Sequence, residues 1–259
     1  MSARTLPRQA HKSLIKLMMS FEALRAWIVS NGCLVIGVGI LKGGTGKTTS
    51  ALYMALYLAR VMGLKVVFVD TDDNSQSAEN WVSIRERRHP RENVPFDLHL
   101  FKNRKETDPD LAEVIEELKQ HYQVVIVDIG GGDKEAYSDL CMTANVLVMP
   151  TAPSGYETTR VAPSMKLAMK AAKFNTSVTG LHAYVLMVKT SKSNRLADEQ
   201  RDSLEVALQS MDQVDAIVPE AFQISNAVHY PRSWEQTPSR EDLKEFGFLL
   251  RFMMKGVAA

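Results

Sequence analysis

The residues with the clearest chemical potential form a short run of glycine, lysine and threonine at positions 42–49, Lys-Gly-Gly-Thr-Gly-Lys-Thr-Thr. Glycines let several backbone N–H groups face the oxygens of one phosphate, because no side chain blocks the approach. Lys47 would place a positive charge on the terminal phosphates, and the Thr48 hydroxyl is a suitable ligand for Mg²⁺. The run therefore predicts a binding site for a nucleoside triphosphate with Mg²⁺.

Two predicted elements would hold this run in place. The apolar residues 34–40 precede it and predict a buried strand, and a helical pattern follows over residues 51–58. A strand, a glycine-rich loop and a helix in that order place the loop at the helix N-terminus, where the helix dipole favours an anion. A plain turn between strand and helix would not need this residue pattern.

Two further buried strands are predicted to end in aspartate. Residues 65–70 are apolar between Lys65 and Asp70, and residues 122–128 are rich in β-branched side chains up to Asp128. Acidic residues at the carboxyl end of a strand beside a phosphate loop can hold Mg²⁺ and orient water. The alternative is that each aspartate only caps the helix that follows it.

The run at 42–49 departs from the common phosphate-loop pattern, because Leu41 stands where glycine is expected five residues before Gly46. A second lysine, Lys42, opens the loop instead. In these features the run resembles the deviant Walker A motif of the ParA/MinD family of ATPases. The resemblance implies that Lys42 reaches across a dimer interface to the partner's nucleotide and that Lys42 and Lys47 are catalytic. It also implies that the whole loop binds ATP: Lys42, Gly43, Gly44, Thr45, Gly46, Lys47, Thr48 and Thr49.

The acidic segments resemble the other two motifs of the same family. Residues 70–76 resemble its Asp-x-Asp-Pro-Gln motif, although Asp73-Asn74 replaces the usual Pro-Gln and the last residue, Gln76, is the candidate for a displaced glutamine. Residues 122–128 resemble Walker B. The resemblance implies that Asp72 positions the attacking water. It assigns the Mg²⁺ site to Thr48, Asp70 and Asp128.

Alternating strand and helix patterns along the chain predict an α/β fold with a doubly wound, mostly parallel sheet flanked by helices, like that of P-loop NTPases. Residues 33–259 are expected to form one deviant Walker A ATPase domain, and residues 1–32 a basic N-terminal extension with an amphipathic helix over 13–29. This helix is predicted to pack on the flank of the domain. The alternatives are an association element, or a segment upstream of the true start of the protein.

Composition is that of an ordinary globular domain, with 45% hydrophobic and 24% charged residues among 259. No apolar run approaches the roughly 20 residues that span a bilayer, and no secretory signal is recognisable. The two cysteines, Cys33 and Cys141, have neither metal-binding nor CxxC spacing, which favours a reducing cytoplasm and disfavours the iron–sulfur relatives of this ATPase class.

A net charge of +1 means that any DNA binding by the domain needs a local basic patch. Two groups of basic residues are predicted to form it, one on a helix opened by Pro163 and one in the loop after a strand at 181–188. The candidates are Lys166, Lys170, Lys173, Lys189, Lys192 and Arg195. The alternative is a solvated helix face and a solvated loop. A further basic stretch, residues 85–95, is interpreted as a solvated loop.

Local signals place the remaining helices. Asp108 is predicted to cap a helix with Pro109 at its first position, and residues 239–242 form a capping box for the last helix. That helix is predicted to pack on the core, with a membrane anchor as the alternative. Residues 216–236 are predicted to hold the last strand, near which relatives bind adenine.

The resemblance covers about residues 34–257 and implies a small ParA-type ATPase for DNA segregation, with ATP and Mg²⁺ as cofactors. The expected partners are a second copy of the chain, non-specific DNA and a centromere-binding ParB-like protein, in the cytoplasm at the nucleoid; a membrane partner is not expected. The alternatives are a MinD-like ATPase that cycles on membrane and a metabolic ligase of the same superfamily.

Overall fold

A computed structural model describes residues 20–41, 43–73, 76–88, 94–102, 107–190, 195–209, 220–225 and 238–258. Seven strands within these ranges form one sheet, in the order β3-β2-β4-β1-β5-β6-β7, and every neighbouring pair is parallel. The strands are β1 (Leu34–Val38), β2 (Val66–Asp70), β3 (Asp97–Leu100), β4 (Val124–Asp128), β5 (Val146–Thr151), β6 (His182–Thr190) and β7 (Glu220–Ser225). The predicted doubly wound α/β fold is confirmed.

The described helices lie on both faces of this sheet. They are α1 (Phe21–Asn31), α2 (Lys47–Leu56), α3 (Ser77–Arg88), α4 (Leu111–Leu118), α5 (Lys134–Thr143), α6 (Gly155–Thr158), α7 (Val161–Ala172), α8 (Arg195–Gln209) and α9 (Lys244–Val257). A π-helical turn, Tyr57–Val61, continues α2.

Each face of the sheet buries its own hydrophobic core. Successive residues of a strand point to opposite faces, so Leu34 and Ile36 of β1 join one core and Val35 joins the other. Helices α1, α2, α3 and α9 close the first core, and α4, α5, α7 and α8 close the second. Because both faces are covered, the central strands are nearly continuous apolar runs, which is why the sequence pattern predicted them.

The last helix, α9, packs its apolar stripe into the first core. Phe246, Leu250 and Met253 are at most 1% exposed, and Gly247 lies so close to the Tyr57 ring that a Cβ would overlap it. The prediction of a core helix is therefore confirmed, and protein covers the face that an anchor would need. Among the described residues, no helix is both long and apolar enough to cross a bilayer.

The first described helix, α1, belongs to the same core. Ser20 caps it by accepting the Ala23 N–H at 3.1 Å, and Leu24 and Ile28 are buried. This is the flank packing that the sequence predicted. The earlier part of the predicted amphipathic helix, residues 13–19, lies outside the described residues.

Residues 85–88 are not the solvated loop that the sequence predicted, because α3 continues to Arg88. Arg85 is 2% exposed, and its guanidinium lies over the Trp81 ring, 3.3 Å from the ring centroid.

Helix boundaries differ from the predictions in two other places. Asp110, not Asp108, caps α4, because it accepts the Glu113 N–H at 2.8 Å while the Glu113 carboxylate accepts the Asp110 N–H at 3.2 Å. Helix α7 begins at Val161, so Pro163 lies within the first turn, where its missing N–H has no helical partner to lose.

Near the C-terminus, the predicted capping box is present. Ser239 and Asp242 exchange hydrogen bonds of 2.7 Å and 3.3 Å, but they close a turn, and α9 itself begins at Lys244. The strand expected at residues 216–219 lies outside the described residues, as does the adenine segment after 225. The described part of this region is β7.

Candidate nucleotide site

The glycine-rich loop joins β1 to α2, as predicted, and its backbone conformation explains two of its glycines. Gly44 and Gly46 have φ of 76° and 89°, the left-handed region that side chains disfavour. A Cβ on Gly46 would also lie 3.3 Å from Val188 Cγ2. Lys42 lies outside the described residues, so its predicted role stays a prediction.

Lys47, the first residue of α2, is drawn into the protein beside the aspartates. Its side chain is 7% exposed. Burial lowers the pKa of its ammonium group, while the nearby charges of Asp128 and Asp72 raise it. A buried cation between carboxylates and a phosphate loop is arranged to attract the terminal phosphates of a nucleotide.

Asp128 lies at the carboxyl end of β4, in register with Val38 of β1 and Asp70 of β2. It is 2% exposed. Burial raises its pKa to about 7, and this shift is opposed by a hydrogen bond with Thr48 and by the charge of Lys47. Its Oδ1 atom has no hydrogen-bond partner within the part of the chain that the structure describes.

The unpartnered oxygen of Asp128 indicates whether the site is suitable for Mg²⁺. A buried carboxylate oxygen without a donor is costly unless a cation or an ordered water satisfies it. Thr48 and Asp128 supply hard oxygens of the kind that Mg²⁺ prefers. Among the described residues, no cluster of three or more His, Cys, Asp or Glu side chains could hold a metal by itself. The residues therefore fit a Mg²⁺ ion that takes its other ligands from phosphate and water.

Asp70 caps the helix that follows it, which is the alternative that the sequence left open, and its predicted role at Mg²⁺ stays a prediction. Its carboxylate accepts the Asp72 N–H at 3.0 Å and the Ala78 N–H at 3.3 Å, and Ala78 lies in the first turn of α3. Burial raises its pKa, and these two hydrogen bonds oppose the rise. Asp70 thus caps α3 and fixes the backbone of Asp72, at the strand end next to Asp128.

The segment after Asp72 has unusual backbone geometry. Gln76 has φ of 43°, rare for a residue with a side chain, and its N–H donates to the Asp72 carbonyl at 3.2 Å. Asn74 and Ser75 lie outside the described residues. The idea that Gln76 is a displaced motif glutamine stays a prediction.

Thr71 joins the two acidic loops, a role that the sequence did not reveal. Its N–H and its hydroxyl both donate to the Asp128 carbonyl, at 3.1 Å and 3.2 Å. Its hydroxyl in turn accepts the Gly130 N–H at 2.9 Å. Thr71 therefore connects the loop at Asp72 to the glycine-rich loop after Asp128.

Helix α7, which lies on the other face of the sheet from α2, holds the entrance of the phosphate loop. The Leu41 N–H donates to the Ser164 hydroxyl at 3.1 Å, and this hydroxyl donates to the Arg160 carbonyl at 2.8 Å. The Tyr137 hydroxyl donates to the Ser164 carbonyl at 3.2 Å. Sequence reasoning missed Ser164, because its partner lies 123 residues earlier.

The six basic residues proposed for DNA have different surroundings. Lys166, Lys170 and Lys173 are exposed on the outer face of α7, opposite buried Met165 and Ala168. This placement agrees with the predicted helix face. Lys192 lies outside the described residues.

The other two basic candidates do not lie in the predicted loop, because Lys189 belongs to β6 and Arg195 begins α8. Arg195, at the start of α8, donates to Glu199 at 2.8 Å. Lys189 Nζ donates to the carbonyl of Gly44 in the phosphate loop, at 2.8 Å. Lys189 therefore lies at the nucleotide site rather than with the α7 lysines.

Comparison with known proteins agrees with this geometry. The model of the ATPase MipZ family matches residues 34–214, which include the phosphate loop and both acidic strand ends. The chain belongs to that family. The ParA/MinD resemblance predicted from three motifs is thereby confirmed at the level of the family.

The individual proteins that resemble this chain share less than 30% of their residues with it over the matched regions. Protein ParA of Rhizobium radiobacter is 29% identical over 136 residues, 51% of this chain and 55% of that protein, so the match spans about half of the relative. A putative plasmid partition protein from Borrelia burgdorferi B31, solved with AMPPNP, has a TM-score of 0.61 at 17% identity, covering 86% of this chain and 99% of that chain. The structure of pNOB8 ParA bound to nonspecific DNA has a TM-score of 0.51 at 15% identity, covering 87% and 94%. At such identities the structural likeness establishes the fold.

Proposed function

We propose that this chain is a ParA-type ATPase for DNA segregation, which binds DNA non-specifically as an ATP-bound dimer and leaves it when a ParB-like partner stimulates hydrolysis. The observation that carries the proposal is the buried, unpartnered Oδ1 of Asp128 beside Lys47, Thr48 and the phosphate loop. A cation would satisfy this carboxylate and an anion would satisfy the loop beside it, and Mg²⁺-ATP supplies both. Family membership supports the same reaction.

In the proposed reaction, the loop amides and Lys47 stabilise the negative charge that develops on the γ-phosphoryl oxygens. Mg²⁺ held at Thr48 and Asp128 would supply charge neutralisation between the β- and γ-phosphates. Asp72 orients the attacking water, and the Asp70 carboxylate supports it through the Asp72 N–H. Burial of the site excludes other water, which strengthens each of these interactions.

Dimerisation depends on Lys42, which contacts the nucleotide of the partner subunit in the proposed sandwich. Its neighbour Leu41 is hydrogen-bonded to Ser164, so α7 supports the start of the segment that must cross the interface. ATP is then the part of the interface that the two subunits share, and hydrolysis removes it.

The proposed DNA surface is the exposed lysine face of α7, formed by Lys166, Lys170 and Lys173. Three exposed cations on one helix face form a local basic patch, and the chain's small net charge makes such a patch necessary for DNA binding. The hydrogen bond from Leu41 to Ser164 of the same helix links this face to the phosphate loop.

The test measures binding to random-sequence duplex DNA and to anionic liposomes, each with ATP, ADP or no nucleotide, at two salt concentrations. We expect the protein to bind DNA only when ATP is present. Salt should weaken this binding steeply, because binding releases counterions from the DNA. Liposome binding in place of DNA binding would support membrane positioning instead. Binding to neither would contradict the proposal.

The surface is tested in the same assay with Lys166, Lys170 and Lys173 all changed to methionine. The slope of log affinity against log salt should fall by about 0.9 for each phosphate that the variant no longer neutralises. The matched control changes Lys244 and Lys255, which are exposed on α9, and should leave the slope unchanged.

A further inference from the structure

The end of β6 departs from regular strand geometry at Lys189. This residue has φ of 56°, in the left-handed region that residues with side chains rarely occupy. The pairing of β6 with β7 also shifts register between Met187 and Thr190. Irregularities of this kind redirect side chains and persist where the surrounding structure gains from them.

The redirected side chain reaches the phosphate loop. Lys189 Nζ donates to the Gly44 carbonyl at 2.8 Å, across 145 residues of sequence. The preceding residue, Val188, approaches the loop at Gly46, where a Cβ would lie 3.3 Å from Val188 Cγ2. Two consecutive residues of β6 therefore contact the loop, one by packing and one by a charged hydrogen bond.

The contacted carbonyl belongs to a peptide unit that is otherwise weakly fixed. Gly44 has φ of 76°, and among the described residues, apart from its chain neighbours, no heavy atom lies within 4 Å of the place where its Cβ would stand. The C=O and N–H of a trans peptide point in opposite directions. A donor that holds the Gly44 carbonyl thus also sets the direction of the Thr45 N–H.

We propose that Lys189 is a positioning residue of the phosphate loop, which holds the Gly44 carbonyl so that the Thr45 amide is presented to the triphosphate of ATP. Its ammonium group also adds positive charge beside the loop, together with Lys47. This inference rests on the ATP-binding function proposed above, and it assigns Lys189 to the nucleotide rather than to DNA.

The test measures the dissociation constant for a fluorescent ATP analogue, without DNA, for two variants. Lys189→Met removes the charge and keeps the length of the side chain, and Lys189→Gly removes the charge but accepts the left-handed backbone. Both should bind the analogue about five- to tenfold more weakly, the effect of removing an exposed charge-assisted hydrogen bond. Lys255→Met, which removes an exposed charge from α9, is the matched control and should bind like the wild type.

Thermal unfolding without nucleotide separates positioning from simple stability. Lys189→Gly should unfold at the same temperature as the wild type or higher, because glycine relieves the strain, although its ATP affinity falls. A loss of affinity that only follows a loss of stability would overturn the inference.

The remaining outcomes separate this inference from the proposed function. If the wild type binds the analogue and both Lys189 variants bind it equally well, the role of Lys189 is overturned and the ATPase proposal stands. Weaker salt-dependent DNA binding with unchanged ATP affinity would overturn it in favour of a DNA contact. Failure of the wild type to bind the analogue would overturn both.

Discussion

The aspartate edge and the entrance of the phosphate loop are built in different ways. Asp70 and Asp128 stand at the ends of adjacent buried strands in direct register, so the sheet itself brings them together. Leu41 and Gly44 are held by Ser164 and Lys189, side chains that follow them by more than 120 residues. The first region supplies chemical groups by local motif, and the second supplies position by contacts across the fold.

The largest effect is expected at the aspartate edge. Asp72→Ala should leave ATP-dependent dimerisation intact and lower the hydrolysis rate by about 100-fold or more, since it removes the group that we propose orients the attacking water. Steady-state phosphate release and light scattering with ATP measure the two properties. The control is Asp73→Ala, at the exposed neighbouring residue, which should keep most of the rate. Loss of both properties in Asp72→Ala would show that Asp72 acts at the interface as well.

The next largest effect is expected at the loop entrance. Lys42→Ala should abolish ATP-dependent dimerisation and retain binding of one nucleotide per monomer, because it removes only the group that we propose contacts the partner's nucleotide. Analytical ultracentrifugation with ATP, combined with a nucleotide-binding titration, checks both. Normal ATP-dependent dimerisation of this variant would contradict the proposed dimer in which Lys42 contacts the partner's nucleotide.

A smaller effect is expected from the hydrogen bond between Ser164 and Leu41, which supports the loop entrance from a distant part of the sequence. Ser164→Ala leaves the Leu41 N–H without its acceptor, which should weaken ATP-dependent dimerisation by about fivefold to tenfold. The matched control is Thr143→Val, because Thr143 is also buried but its hydroxyl donates only to carbonyls of its own helix. Equal effects of the two variants would mean that Ser164 serves stability alone.

The smallest effect is expected at Asp139, another aspartate whose pKa is raised by burial. Burial and the charge of Asp110 raise the pKa of Asp139 to about 6, and the Leu111 N–H only partly opposes this. The folded state therefore holds this proton more tightly than the unfolded state, and stability falls as pH rises from about 4 through 6. Asp139→Asn should raise the free energy of unfolding by about 1 kcal/mol at pH 8, allowing for solvent screening at this half-buried site.

Urea denaturation at pH 4 and at pH 8 measures this effect. The difference between Asp139→Asn and the wild type should vanish at pH 4, where the wild-type carboxyl is already protonated in the folded state. The same difference at both pH values would contradict the assignment.

The sequence predicted those parts of the molecule whose signals are local. Buried parallel strands are continuous apolar runs, so β1, β2 and β4 could be located within two residues. The aspartates at their tips followed, because parallel strands end at one edge of the sheet. The phosphate loop was recognisable because few functions need such a density of glycine between a strand and a helix.

The rest depends on tertiary contacts that no local pattern encodes. Thr71, Ser164 and Lys189 have partners 57 to 145 residues away, and nothing near them in the sequence marks these contacts. The cap of α4 is a different case. The sequence contained its capping box. Because Pro109 is favoured at the first position of a helix, the cap was predicted at Asp108, two residues too early.

The close approach of Gly247 to Tyr57 has a consequence for how this protein can change over evolutionary time. The turn containing Tyr57 continues the helix that begins at Lys47, so the helix that follows the phosphate loop packs directly on α9. A larger side chain at position 247 therefore requires a smaller one at position 57. A homologue with a larger residue at position 247 is expected to carry a smaller one at position 57, and a lineage that altered only one of them would shift the nucleotide loop without touching its motif.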